Sequence, residues 1–403
     1  MASGHRESRM VGTFRRAVPT CPLRTEVTGV GGMSVLDGVG VVGAGGEGRA
    51  VAAYLASLEL PVHLYTRDPG AVAEIARRRE IVATGALTGR FPLREVSADP
   101  AGLAGRAVVL VATVTTAYPE VAARLAPHLS PGQLVVLFSS KLCGSIEFAH
   151  VLATAGAPDV DVVETDALFA ARPAGDAGVS VLGVKRWNLL SGSSPDAVAR
   201  HAERLLGWFP MLEVAGNPVE RGLHDFGAVA HVPIALANLG TIDRAEALLF
   251  YVEGVSARTV ALLERTEAEF AAVAQAYGAR LLPMTEVLDR YYGCAATSLL
   301  DALRTVEPYR TIAAPTSLDH RFLTEDIRST LVPLQALARA AGVHTPVVDA
   351  AITIMSVLGG EDFRRTGRTL RRLGWDGLGH DGILRRLAGR GAAGHSAFGH
   401  NAA

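Results

Sequence analysis

Six short stretches of this 403-residue chain carry groups that could do chemistry. The first, VGVVGAGGEGRAVAAYLA, sets Gly43, Gly45 and Gly48 in a GxGxxG spacing between a strand-like run and a helical one. Such a turn suits a pyrophosphate. Gly43 allows the sharp turn, Gly45 lets backbone approach the anion, and Gly48 lets helix and strand pack closely, while free N–H groups of the helix end face the negative charge. Gly46 and Glu47 complete the loop and join it as dinucleotide contacts. The second stretch, LYTRDP, puts Thr66 where an acid would hold a ribose 2′-hydroxyl, with Arg67 after it. A hydroxyl and a guanidinium suit a 2′-phosphate better than a carboxylate does, which favours NADP(H) over NAD(H); Asp68 keeps a ribose contact open.

The third stretch, SSKLCGSIEF, follows the apolar run QLVVLF. Ligands of a parallel sheet lie beyond the carboxyl ends of its strands, so Ser139, Ser140 and Lys141 are expected to face cofactor or substrate. Cys143 has no base near it in sequence. The fourth, HDFGAVAHVPIALANLG, carries His224 and His231 seven residues apart, on one face if the segment is helical. No carboxylate or cysteine at ligand spacing completes a metal site, and a histidine on an Ala/Val/Ile surface is otherwise a satisfied core side chain. The fifth, LLFYVEGVSARTV, offers Tyr251 and Glu253 before a helical pattern. The sixth, LDHRFLTED at residues 318–326, crowds titratable groups against the apolar stripe Ile327, Leu331, Leu334 and Leu337. Acids there suit a helix start, where the dipole favours negative charge, and Arg321 could simply pair with Glu325.

The elements that must position these groups fall into two kinds. VGVVGA, PVHLYTR, AVVLVAT and QLVVLFSS are apolar runs of strand length, separated by amphipathic stretches such as AYPEVAARLAPHL. That alternation predicts βαβ units and a parallel sheet. Beyond EVAGNPVERG, residues 213–222, the strand signals vanish and helical spacing takes over. The expected architecture is an N-terminal Rossmann-type doubly wound parallel sheet over 36–215, followed by an all-helical substrate and catalytic domain over 216–390. Residues 1–35 are Arg-rich and Gly-broken, and read as a disordered extension or as a segment that a start at Met33 would omit. Residues 391–403 read as a flexible tail.

Composition excludes several classes of partner. Apolar residues make up 49% and charged residues 20%, enough for real cores, and the formal net charge of -1 gives no case for nucleic acid or an anionic membrane. No apolar run approaches the roughly 18–20 residues that span a bilayer. Cys21, Cys143 and Cys294 lack paired spacing, which fits a reducing compartment, and a cytoplasmic location is expected. The partners expected are small molecules, with a homodimer left open.

Taken in order, these residues resemble the opine dehydrogenase family, the octopine/nopaline-type enzymes, from about Val39 to Leu378. The likeness rests on GAGGEG, on PHLSPGQLVVLFSSKLCGSIEFAHVL, on His231, on FYVEG, on APTSLDHRFLTED, and on VHTPVVDAAITIMSVLGGEDFRRTGRTLRRLGW. The resemblance implies reductive joining of an amino-acid amine to a 2-oxo acid through an imine, with NADH or NADPH as reductant. It implies a His–Asp pair at His231 and Asp326, the histidine moving protons and the carboxylate orienting its ring. It also implies a carboxylate clamp at Arg321, with Lys141 and Tyr251 as further substrate contacts. The chain departs from the family where Asn is common four and six residues before the histidine: here stand Gly227 and Asp225. Val232 replaces a Pro, Arg328 another, and Ala314 a Gly. Two rival functions remain at this point: reduction of a preformed imine or ketone, and a non-catalytic NAD(P)-binding role.

Overall fold

The computed structural model describes residues 38–389, so the extension at residues 1–35 and the tail at 391–403 lie outside it. The strands are β1 Val39–Val42, β2 Val62–Tyr65, β3 Glu80–Gly85, β4 Gly89–Pro92, β5 Glu95–Ser97, β6 Val108–Val111, β7 Leu134–Leu137, β8 Asp161–Thr165, β9 Phe169–Ala174, β10 Gly178–Val184, β11 Asn188–Gly192 and β12 Leu212–Val214. Helices α1 Gly46–Ser57, α2 Ala73–Arg78, α3 Tyr118–Leu125, α4 Gly144–Thr154 and α5 Pro195–Trp208 are interleaved with them. VGVV, VHLY, VVLV and LVVL are buried at every position, as strands covered on both faces require.

Eight strands form one sheet in the order β12-β11-β8-β7-β6-β1-β2-β5, parallel except where β11 meets β8. Alternate residues feed opposite faces: Val41, Leu64, Leu110 and Val136 pack into one core cluster, Val42, Tyr65, Val111 and Leu137 into the other. β1 lies between β2 and β6, in register Val41↔Leu64 and Val41↔Leu110. Strand order reverses at β1 and β6, so their carboxyl ends open the crevice where such sheets bind ligands. This is a Rossmann-like domain. A second sheet, of which the sequence pattern gives no sign, runs β4-β3-β10-β9.

After β12 the described chain has no further named strand. Helices α6 Pro218–Leu223, α7 Phe226–Ala237, α8 Leu239–Asp243, α9 Ala257–Ala276, α10 Met284–Tyr292, α11 Leu299–Thr305, α12 Arg321–Asp326, α13 Val332–Ala340 and α14 Pro346–Gly359 build the helical part. α7 packs against α9 and α12. Among the described residues no helix is long and apolar enough to cross a membrane.

Two expectations are corrected here. His224 and His231 do not share one helix face, because the chain breaks at His224 and Asp225 between α6 and α7, where Asp225 caps α7 by accepting Gly227 N–H at 3.0 Å. Glu325 is not a surface acid at a helix start. It sits in the last turn of α12, buried, and a π turn over Ile327–Leu331 carries the chain on into α13.

Candidate active site

The glycine loop links β1 to α1. Gly43 has φ +108, and a Cβ there would lie 2.6 Å from the Ala112 carbonyl oxygen. A Cβ on Gly48 would collide with the Gly43 carbonyl oxygen, so glycine at this site is a packing requirement of helix on strand. Gly45 differs, since a Cβ there meets nothing within 4 Å. The loop therefore leaves open space beside the α1 N-terminus, a fit for a pyrophosphate. Gly46 is constrained by the protein itself: its Cβ would strike the Ala171 carbonyl in β9. Glu47 turns sideways, accepting the Ser139 hydroxyl at 2.5 Å and Leu168 N–H at 3.1 Å, and burial pushes its carboxyl up to about 7. Thr66 is buried at the end of β2. Arg67 is exposed and pairs with exposed Glu120 at 3.1 Å.

On the helical side, His231 from α7 and Asp326 from the end of α12 meet, with Nδ1 2.6 Å from the carboxylate. Burial alone raises the Asp326 pKa, but Lys141 and His231 beside it hold the carboxyl below its ordinary value. The ionised carboxylate only accepts, so Nδ1–H donates to it, and Nε2 lies 2.7 Å from the Tyr251 hydroxyl, placed to accept from it. Phe322 stacks on the imidazole, centroids 4.9 Å apart, and Tyr251 stacks on Tyr309 at 4.3 Å. Lys141 reaches across from the sheet side, 2.8 Å from Asp326 and 2.6 Å from Asp225. These two carboxylates raise the ammonium well above its ordinary value against the opposing effect of burial. Arg321 is exposed one helix turn before Asp326, its guanidinium 5.6 Å from the Phe322 ring. Among the described residues it makes no ion pair, and Glu325 is engaged elsewhere.

The loop carrying Lys141 is held under tension. Ser139, Lys141 and Cys143 have φ of +55, +59 and +58, the left-handed region that side chains other than glycine rarely adopt. Each such residue costs on the order of 1–3 kcal/mol unless its surroundings fix it. Two buried arginines do so. Arg368 donates to the carbonyls of Ser140 and Leu142 at 3.1 and 2.8 Å, and Arg221 donates to that of Lys141. Arg368 is in turn paired with Glu147 at 2.8 Å, and Arg221 with Glu164 at 3.1 Å. Ser140 does not face the crevice as expected; it is buried, and its hydroxyl donates to Glu164 at 2.7 Å. Cys143 is buried, and burial pushes its thiol up.

The structure thus brings His231, Asp326, Lys141 and Tyr251 together, leaves Arg321 beside them, and sets the glycine loop across the crevice. His224 stands apart as a satisfied core histidine, Nδ1 donating to the Glu220 carbonyl at 2.8 Å and Nε2 accepting Leu282 N–H at 3.1 Å. Sequence reasoning missed Asp225, Arg221 and Arg368. Only Asp225 carried a signal, as a charged residue where the resembling family has Asn.

Two family descriptions match the chain: NAD/NADP octopine/nopaline dehydrogenase, alpha-helical domain, over residues 214–358, and ketopantoate reductase PanE/ApbA over residues 39–139. Opine dehydrogenase of Arthrobacter sp. (strain 1C) is 32% identical over 347 residues, covering 85% of this chain and 96% of that one. Protein ocs of Agrobacterium tumefaciens (strain Ach5) is 27% identical over 292 residues, covering 71% of this chain and 80% of that one. Among solved structures, octopine dehydrogenase in complex with NADH and agmatine shares the fold, with a TM-score of 0.71 at 21% identity over 89% of this chain and 99% of that one.

Proposed function

The chain belongs to the opine dehydrogenase family, and from that premise we propose how its own residues carry the reaction. It is an NAD(P)-dependent oxidoreductase acting on CH–NH bonds, of the type that condenses an amino-acid amine with a 2-oxo acid through an imine and reduces it. The observation that carries the assignment of residues is the hydrogen-bonded line from Asp326 through His231 to Tyr251.

Attack of the amine nitrogen on the oxo carbon gives a carbinolamine, and its hydroxyl leaves as water only with a proton. His231 Nε2 first takes a proton from the incoming ammonium group and then delivers it to that hydroxyl, because imidazole exchanges protons near neutral pH. Asp326 fixes the ring through Nδ1 and stabilises its charged form. The Tyr251 hydroxyl, already at Nε2, contacts the substrate oxygen. Arg321 clamps the oxo-acid carboxylate with two parallel N–H groups. A nicotinamide cofactor, when bound, supplies hydride to the imine carbon. Gly43, Gly45 and the α1 N-terminus hold its pyrophosphate, with Gly46, Glu47 and Gly48 shaping the loop.

Thr66 and Arg67 favour NADP(H). The Arg67–Glu120 pair is exposed on both sides, and such pairs contribute about 1 kcal/mol or less, so a 2′-phosphate can replace Glu120 at little cost. We place the reaction in the cytoplasm, in keeping with the free thiols of Cys143 and Cys294. The test is consumption of NADPH and of NADH with an amino-acid pool, a 2-oxo-acid pool, and both. Turnover only with both pools, faster with NADPH and losing that preference in Arg67→Ala, is the expected result. Turnover with one pool alone would point to a preformed imine or a ketone.

A further inference from the structure

Lys141 occupies a place suited to a substrate contact, yet its ammonium is already engaged. One of its N–H groups reaches Asp225 Oδ2 at 2.6 Å and another reaches Asp326 Oδ1 at 2.8 Å. The three side chains are 11%, 4% and 2% exposed, so water does little to screen them. Asp326 turns its other oxygen to His231 Nδ1 at 2.6 Å. Asp225, Lys141, Asp326 and His231 therefore form one line of alternating charge that ends on the imidazole. Asp225 also caps α7 through Gly227 N–H at 3.0 Å, but Asn caps a helix equally well. Capping does not explain a carboxylate at this position. Its contact with Lys141 does.

We propose that Lys141 is the internal counter-ion of the proton relay, a positioning residue that acts through Asp326, and that Asp225 sets how much of its charge Asp326 receives. This rests on reading His231 and Asp326 as that relay. The ammonium is shared between two carboxylates, so Asp326 stays partly uncompensated and can stabilise an imidazolium. Other charged or titratable groups face the cluster: Asp166 beyond β8, itself paired with Lys185 at 2.5 Å; Glu325 and Arg321 on α12, with His320 at its cap near His231; and Arg221 on α6 behind Glu164. None of these lies between Lys141 and its two partners.

The test is an NMR titration of the 15N-histidine-labelled full chain, with the His231 signal identified by its loss in His231→Ala. Asp225→Asn keeps the cap and removes a negative charge, so His231 titrates at lower pH. Lys141→Met removes a positive charge, so it titrates at higher pH. The double variant lies nearer to the unaltered protein than either single one. Unmoved titrations, or shifts of one sign, overturn the proposal, and Asp225→Asn alone decides its direction if Lys141→Met does not fold. In turnover, Lys141→Met should lower kcat with the oxo-acid KM within about twofold. A raised KM at unchanged kcat makes Lys141 a substrate clamp instead. A protein inert with every substrate mixture refutes the proposed function, while the titration still judges the counter-ion.

Discussion

The carboxylate of Glu325 accepts the backbone N–H of Thr115 at 2.7 Å across 210 residues of sequence, tying the helix that carries Asp326 to the loop after β6. Both groups are buried. The bond fixes α12 against the loop after β6, next to the residue proposed to orient His231. Glu325→Ala leaves a buried N–H without an acceptor and should cost about 1–3 kcal/mol in urea unfolding. Glu325→Gln keeps an acceptor oxygen and sheds a charge whose carboxyl burial has raised, so it should stay close to the unaltered protein at pH 7.

Removing either end of the His–Asp pair should stop the chemistry without emptying the cofactor site. His231→Ala and Asp326→Asn are expected to lower kcat by roughly 10²–10⁴. Cofactor affinity, followed by protein fluorescence, should change little, because neither residue belongs to the glycine loop. A loss of affinity equal to the loss of turnover would contradict the assigned roles.

Glu47 should make cofactor binding depend on pH. Its carboxyl is pushed up to about 7 by burial, so it is neutral below that pH and charged above it. A charge there stands in the first turn of α1, the helix end proposed to receive the pyrophosphate. Affinity should be highest below pH 7 and fall as pH rises through that value. In Glu47→Gln this limb of the titration should flatten. Isothermal titration calorimetry in buffers of different ionisation enthalpy would also detect proton uptake on binding, and its absence would count against this account.

The glycines of one motif should fail in different ways. Gly48→Ala puts a methyl against the Gly43 carbonyl and should destabilise the fold by about 1–3 kcal/mol or more. Gly45→Ala meets open space, so thermal stability should hold while cofactor affinity drops. Measuring melting temperature and affinity on both variants separates a packing glycine from a binding one.

The parallel sheet was legible because each of its central strands is a run of apolar residues buried on both faces, a pattern that needs no partner to be recognised. The second sheet was not. β4 is the four residues GRFP, β9 contains Pro173 and leaves its last three positions exposed, and β10 pairs in parallel with β3 across more than ninety residues of chain, Thr84 opposite Ser180. The His–Asp pair was readable through resemblance, and His224 shows why residue type alone falls short: two histidines seven apart differ only in what the fold sets against them. Arg221 and Arg368 left no trace, since a buried arginine is recognisable only once its carboxylate, 57 or 221 residues away, is in place.

The π turn over Ile327–Leu331 follows Asp326 directly. A π turn amounts to one residue inserted into an α-helix, and each residue of such a helix turns it by about 100°. Deleting a single residue here would leave a smooth helix from Arg321 to Ala340, but would swing the Asp326 carboxylate a quarter turn or more away from His231, and buried Leu323 and Glu325 with it. In most helices an indel is an injury to the hydrophobic stripe. At this point it would also re-aim an acid, because the extra residue sets the phase at which α12 presents Asp326 to His231.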